Sequence, residues 1–250
     1  MAENLSELRI ETIAEKLEAL EETIILRLID RAQFKTNTIA YQAGKIAFQG
    51  EPEKSLFELR IRYHEEMDAV FGRFLFPEER PFNRDLPEAR RKVYGVPDVL
   101  NLPDYDLVNL TGDIRSSYLA LVPRICTDGD DEQYGSSTEH DVYALQAISR
   151  RIHYGAMYVA ESKYRADSRV YETLIQQDDR PGIEKRLTRP EVEDQICHRV
   201  VVKTEKIQDE ANQRIRTLIE PEVVQEFYRA TLIPLTKRGE VLYLLNRGKS

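Results

Sequence analysis

The chain has 250 residues, 41% of them hydrophobic and 32% charged, with a formal net charge of -8. That length and mixture describe a globular, soluble protein with a substantial core, and exclude intrinsic disorder. The acidic balance argues against nucleic acid as the main partner, because phosphate affinity comes from basic surface. No apolar run reaches the roughly 18 residues of a membrane span, and "MAENLSELRIE" carries no signal-peptide pattern. Cys126 and Cys197 are too few and too far apart for a disulfide framework or a metal cluster, so both read as thiols of a reducing cytoplasm.

Helical periodicity dominates. Ile13, Leu17, Leu20, Ile24 and Leu28 fall at three- and four-residue steps, predicting one long helix over 5–34. A loop containing Gly44 and Gly50 follows, then a second helix that ends near Gly72. Pro77, Pro81, Pro87, Pro97 and Pro103 make 76–104 an irregular excursion, before a helix over 105–122 that stops near Pro123. Ser136 and Glu139 have capping-box spacing, opening a helix that continues to about Gln177. A short helix over 183–187 leads to Thr188, spaced as a second capping box with Glu191, and that helix runs to about 208. The last begins at Pro221 and carries Pro234 inside, where a kink is expected. No alternating β-branched segment is bounded by hairpin turns. The expectation is an all-α fold in one domain.

The stretch "SRRIHYGAMYVAESKY" stands out. Arg150 and Arg151 precede nine residues without a carboxylate, and Lys163 follows just after Glu161. Cations on an apolar wall invite an anion, although a solvated helix face paired with Glu161 and Asp167 explains them equally simply. Thr236 and Glu240 share a helix face four residues apart, and Glu193 suits the positive end of a helix. There is no phosphate loop, nucleophile elbow or zinc motif, and His64, His140, His153 and His198 are scattered. Binding of an anion by basic side chains therefore remains open, with no cofactor or metal implied.

Together the segments "EETIILRLIDRAQF", "DGDDEQYGSSTEHDVYALQAISRRIHYG", "YVAESKY", "LTRPEVEDQI" and "LIPLTKRGEVLYLLNR" resemble the eukaryotic, all-helical chorismate mutases. The resemblance implies conversion of chorismate to prephenate, a pericyclic rearrangement serving phenylalanine and tyrosine synthesis, in a cytoplasmic homodimer. Such a reaction needs a flexible dianion held in its reactive conformer and negative charge stabilised on the ether oxygen. Matched to the family's motifs, Arg151 grips a substrate carboxylate, Lys163 reaches the ether oxygen and side-chain carboxylate, and Glu193 orients the substrate hydroxyl. Thr236 and Glu240 match the threonine and glutamate that follow "IPLT", and Glu240 must be protonated to donate to the ether oxygen.

Three departures from the family pattern stand out. The arginine expected after Ile13 is Ala14, while Arg189 replaces an asparagine and is the candidate substrate-binding cation in its stead. The interval from Gly155 to Lys163 is one residue longer than usual, leaving Arg151 and Lys163 roughly 120° out of phase on a regular helix. A π-bulge near Gly155–Met157 would restore them to one face. Family members respond to tyrosine and tryptophan at the dimer interface. Arg73, Gly135 and Ser136 match that effector site, whereas Gly72 and Glu220 depart from it, and a loop end with a helix cap explains Gly135 and Ser136 as simply. Three other readings remain: a non-catalytic homologue used as a regulator, favoured by Ala14; a pericyclic lyase acting on isochorismate; and an unrelated helical interaction protein.

Overall fold

The computed structural model describes residues 8–92, 99–209 and 215–249. Among these residues there is no strand, and the fold is all-α. Helix α1 spans Ile10–Ala32, α2 Leu56–Val70, α3 Thr111–Ile125 and α4 Tyr134–Tyr154. A π-helical segment, Gly155–Val159, joins α4 to α5, Ala160–Ala166. Three shorter or intermediate helices follow: α6 Ser168–Gln176, α7 Arg180–Leu187 and α8 Pro190–Asp209. Helix α9, Pro221–Phe227, runs through a second π segment, Tyr228–Leu232, into α10, Ile233–Asn246. No helix of the described residues is long and apolar enough to cross a membrane.

Two apolar clusters hold the helices together. One joins α1, α3, α4 and α9 around Ile24, Leu28, Ile114, Leu145 and Val224. The other gathers Ile13, Met157, Tyr171, Ile183 and Tyr243 between the start of α1, the first π segment, α6, α7 and α10. Ile152 belongs to the first and Tyr154 to the second, so Arg151 sits where one cluster gives way to the other.

A buried polar hub fixes α1 against α4. Arg31 is fully buried and places Nε 2.6 Å from Asp141. Its other nitrogens donate to the carbonyls of Lys35 (3.1 Å) and Thr36 (3.2 Å), to Tyr41 (2.9 Å) and to the Cys126 sulfur. Tyr41 and Tyr118 donate to Asp141 at 2.8 and 2.7 Å. Burial works against the Arg31 charge most strongly of any single influence, but Asp141, Tyr41, Cys126 and Tyr118 together outweigh it and the guanidinium stays protonated.

Several local expectations change. Residues 5–7 and Pro97 lie outside the described residues, and α1 begins at Ile10 rather than before it. Helix α3 starts at Thr111, after a 3₁₀ turn at Tyr105–Val108, and passes through Pro123 to Ile125, since a proline so near the end disturbs little. Ser136 does not cap α4: the Gln133 amide is held by Asp131 (3.0 Å), itself tied to Asn37, so the helix begins at Tyr134. The long helix ends at Ala166 because Asp167 leaves helical geometry (φ -148°, ψ 57°) and pairs with Arg186 of α7. Asp179 caps α7 early by accepting from Gly182, so that helix starts at Arg180 rather than 183. Thr188 closes α7 by donating to Glu184 (2.8 Å), and the backbone carbonyl of Arg189 takes the first amides of α8. Helix α2 opens on a capping box between Ser55 and Glu58, not identified from the sequence, and both of its bonds are present.

Candidate active site

The site forms where α10 crosses the first π segment. Two glycines allow the approach. A Cβ on Gly239 would lie 2.5 Å from that of Ala156, and one on Gly155 would lie 2.9 Å from Thr236 Cγ2. The extra residue between Arg151 and Lys163 is absorbed in Gly155–Val159, where a wider turn takes it up without breaking the helix. Arg151 and Lys163 consequently meet the same helix. Arg151 Nη1 donates to Thr236 Oγ1 at 3.3 Å, and Lys163 Nζ lies 3.1 Å from Glu240 Oε2, one turn along α10. Pro234 lacks an amide and its ring crowds the carbonyl four residues back. The second π segment, Tyr228–Leu232, sits across that turn and lets α10 present Thr236 and Glu240 inward.

Arg151 is 3% exposed and forms no ion pair among the described residues. Its Nε is buried without a hydrogen-bond partner, and its guanidinium lies 5.9 Å from the ring of the buried Tyr228. The alternative reading, that the cations of this stretch pair with Glu161 and Asp167, fails. Glu161 is taken by Arg165 and Arg247, Asp167 by Arg186, and Arg150 turns away toward Glu79 (3.3 Å) and Glu78. Lys163 also donates to the Leu187 carbonyl at the end of α7 (2.8 Å). Burial pushes the Glu240 carboxyl above its ordinary range, with Lys163, Lys237 and Arg151 opposing that shift without cancelling it.

Glu193 reaches the margin of this group, 2.9 Å from Lys237. Lys237 follows Thr236 on α10 and was not singled out from the sequence; its adjacency to Thr236 was the available signal. Arg189 is exposed and has no ion pair among the described residues. Ala14 is also exposed, one turn before Leu17, whose Cδ2 lies 3.5 Å from the Cβ position at Gly155. No cation from α1 therefore comes from that position. His153 is structural: Nδ1 donates to the Ser149 carbonyl (2.8 Å), Nε2 accepts from the Leu110 amide (2.9 Å), and burial pushes it down to about 3. No group of three or more His, Cys, Asp or Glu among the described residues could hold a metal ion.

The charges can be added. Lys237 offsets Glu193, leaving Arg151 and Lys163 against Glu240 alone.

No family model matches the chain. Individual proteins do. Chorismate mutase 1, chloroplastic, from Petunia hybrida is 38% identical over 236 residues, covering 91% of this chain and 72% of that protein. The crystal structure of a chorismate mutase from Candida albicans in complex with L-Trp superposes with a TM-score of 0.90 at 32% identity, covering 98% of this chain and 93% of that one. AtCM1 with phenylalanine bound in its allosteric site gives 0.87 at 36% identity, over 97% and 98% of the two chains. The chain belongs to the chorismate mutase family.

Within a single chain the three residues matched to the family's effector site do not meet. Arg73 is held by Asp68 (3.0 Å), Glu79 (2.9 Å) and Gln146 (2.6 Å). Gln146 lies eleven residues beyond Gly135, roughly 16 Å along α4. Gly135 and Ser136 are exposed in the first turn of that helix.

Proposed function

We propose that this chain catalyses the rearrangement of chorismate to prephenate, with Arg151, Lys163, Glu193, Thr236 and Glu240 as its catalytic group. The observation that carries this reading is the buried, unpaired Arg151 facing the same helix as Lys163 and Glu240. The reaction breaks one carbon–oxygen bond and forms one carbon–carbon bond within a single molecule, so its chemistry calls for neither nucleophile nor redox partner. Catalysis comes from holding the folded conformer and meeting charge as it develops. In this mechanism Arg151 grips one carboxylate through its free nitrogens, and Lys163 is shared between the second carboxylate and the ether oxygen. Glu240, whose carboxyl burial raises above its ordinary range, donates to the same oxygen in its protonated form. Thr236 fixes the Arg151 guanidinium, and Glu193 with Lys237 orients the substrate hydroxyl. Arg189, at the start of α8 beside Glu193, supplies the charge that Ala14 lacks; an Arg189→Ala variant with unchanged kcat and KM would remove it from the site.

The chain is proposed to act as one domain over 1–250, as a cytoplasmic homodimer. Free, buried Cys126 and Cys197 fit a reducing compartment. A dimer would also let Arg73 of one protomer approach Gly135 and Ser136 of its partner, giving a place for tyrosine or tryptophan as effectors. Light scattering of the purified chain tests the dimer, and the rate with and without each amino acid tests the effectors. The activity itself is tested by mixing the protein with chorismate and following its loss together with the appearance of prephenate. Isochorismate is run beside it. Conversion of isochorismate alone would favour the related lyase, and conversion of neither would favour a non-catalytic homologue.

A further inference from the structure

A buried carboxylate outside the catalytic group ties together the two helices that carry Lys163 and Glu240. Glu161 lies in the first turn of α5, fully buried, and both of its oxygens are filled by side chains. Oε1 accepts from Arg165 Nε (2.7 Å) and Arg247 Nη2 (3.1 Å). Oε2 accepts from the Tyr243 hydroxyl (2.7 Å) and Arg247 Nε (2.7 Å). Tyr243 belongs to α10, about one turn beyond Glu240, and Arg247 directly follows that helix. The segment 99–101 braces the same cluster. Arg165 donates to the Val99 carbonyl (2.9 Å), and the Asn101 amide donates to the Tyr243 hydroxyl (3.0 Å). Burial acts against the Glu161 charge, yet the bonds from Arg247, Arg165 and Tyr243 outweigh it and hold the carboxyl below its ordinary range.

Helix α5 takes little of its orientation from its neighbours in the chain. The π segment Gly155–Val159 precedes it and Asp167 leaves helical geometry directly after it, so seven residues stand between two irregular joints. The regular hydrogen-bond ladder of α4 therefore does not carry through to Lys163. Arg247 supplies the missing constraint on both sides of that lysine. It binds Glu161 through two nitrogens, and its guanidinium lies 3.7 Å from the ring centroid of Tyr164, the residue after Lys163. A two-nitrogen carboxylate contact with a stacked ring fixes direction as well as distance. Lys163 needs such help, because its stem is flexible and the place of Nζ follows the backbone that carries it. Of its three donors, one goes to the Leu187 carbonyl and one to Glu240.

We propose that Glu161 and Arg247 are positioning residues: by locking α5 to the end of α10 they hold Lys163 within reach of Glu240 and of a substrate oxygen. The last clause rests on the proposed reaction, whereas the hold on Lys163 does not. Both residues act through Lys163, since the Glu161 oxygens are already filled.

The test uses the full chain with glutamate labelled at its side-chain carboxyl carbon and followed by NMR, the Glu240 signal being the one absent in Glu240→Gln. Its titration reads the Lys163 contact, because Lys163 is hydrogen-bonded to Glu240 and comes before Lys237 and Arg151 among the cations that oppose its burial. Tyr171 of α6 is the other titratable group beside it. In Glu161→Gln the Glu240 midpoint should rise, and kcat with chorismate should fall about tenfold or more. Loss of the Glu161 charge alone would lower that midpoint, so a rise reports Lys163 moving away. Arg247→Lys keeps the charge without the two-nitrogen grip, and should shift both readings in the same direction by less. A midpoint unchanged or lowered in both variants would overturn the proposal; with kcat retained and only Tm reduced, the cluster would serve the fold alone. If the midpoint rises in the variants but the wild type leaves chorismate unconverted, the proposed reaction fails and the hold on Lys163 stands.

Discussion

Arg31 and Arg151 are both buried arginines on helices that pack against each other, yet their surroundings differ in one decisive respect. Arg31 finds an aspartate, three backbone carbonyls, a tyrosine and a cysteine, so its desolvation is offset by bonds within the protein. Arg151 finds one threonine hydroxyl and the face of a tyrosine, with Nε unpartnered. A buried charge without a counter-ion is costly. It persists because the fold around it is held by other contacts, and in the proposed reaction a substrate carboxylate is its counter-ion. The first network serves stability, whereas the second is the proposed anion site.

That contrast orders the expected effects. Arg31→Met leaves Asp141 buried and unpaired, and should cost about 3–5 kcal/mol of stability, read as a lowered urea midpoint. Activity per folded molecule should change little; if instead activity fell and stability held, the two networks would have been assigned the wrong way round. Gly239→Ala drives a Cβ to within 2.5 Å of Ala156 Cβ, between two backbones that cannot easily yield. It should cost about 1–3 kcal/mol and lower kcat as well, because Thr236 and Glu240 ride on the same helix.

A pH profile sharpens the catalytic side. Burial raises the Glu240 pKa, so the protonated donor survives above the usual carboxylate range and is lost as pH rises through the folded value. Turnover should fall on that alkaline side, and Glu240→Gln, a permanent donor, should abolish the fall. A falling limb unchanged in Glu240→Gln would place the titration elsewhere. The smallest effect is assigned to Arg150, half exposed and paired with Glu78 and Glu79. Its replacement by Ala should shift stability by less than about 1 kcal/mol, with kcat retained. A large loss of kcat would mean that this pairing holds Arg151 in place.

Much of this arrangement was legible in the sequence. The apolar stripe of α1 gave the helix, and the phase of Arg151 against Lys163 required a π turn, found at Gly155–Val159. What was not legible depends on contacts between distant residues. The Arg31–Asp141 pair joins positions 110 residues apart. Asp167 ends a helix through an ion pair with Arg186, and no local propensity announces that. Asp131 moves the start of α4 upstream of Ser136 by reaching Gln133 and the 35–37 loop. Lys237 was passed over because a lysine on an amphipathic helix looks like surface until Glu193 is seen opposite. Gly239 looks like a helix-weakening residue until α10 is seen against Ala156. Charge spacing along one helix was readable; the pairing that neutralises or spares each charge was not.

The most direct measurement is Arg151→Met, followed by thermal unfolding and kcat/KM with chorismate on the same preparation. Removing a buried charge that lacks a partner should leave Tm unchanged or raise it, while kcat/KM falls about a thousandfold. A clear drop in Tm with activity preserved would contradict the account, since Arg151 would then be serving the fold as Arg31 does.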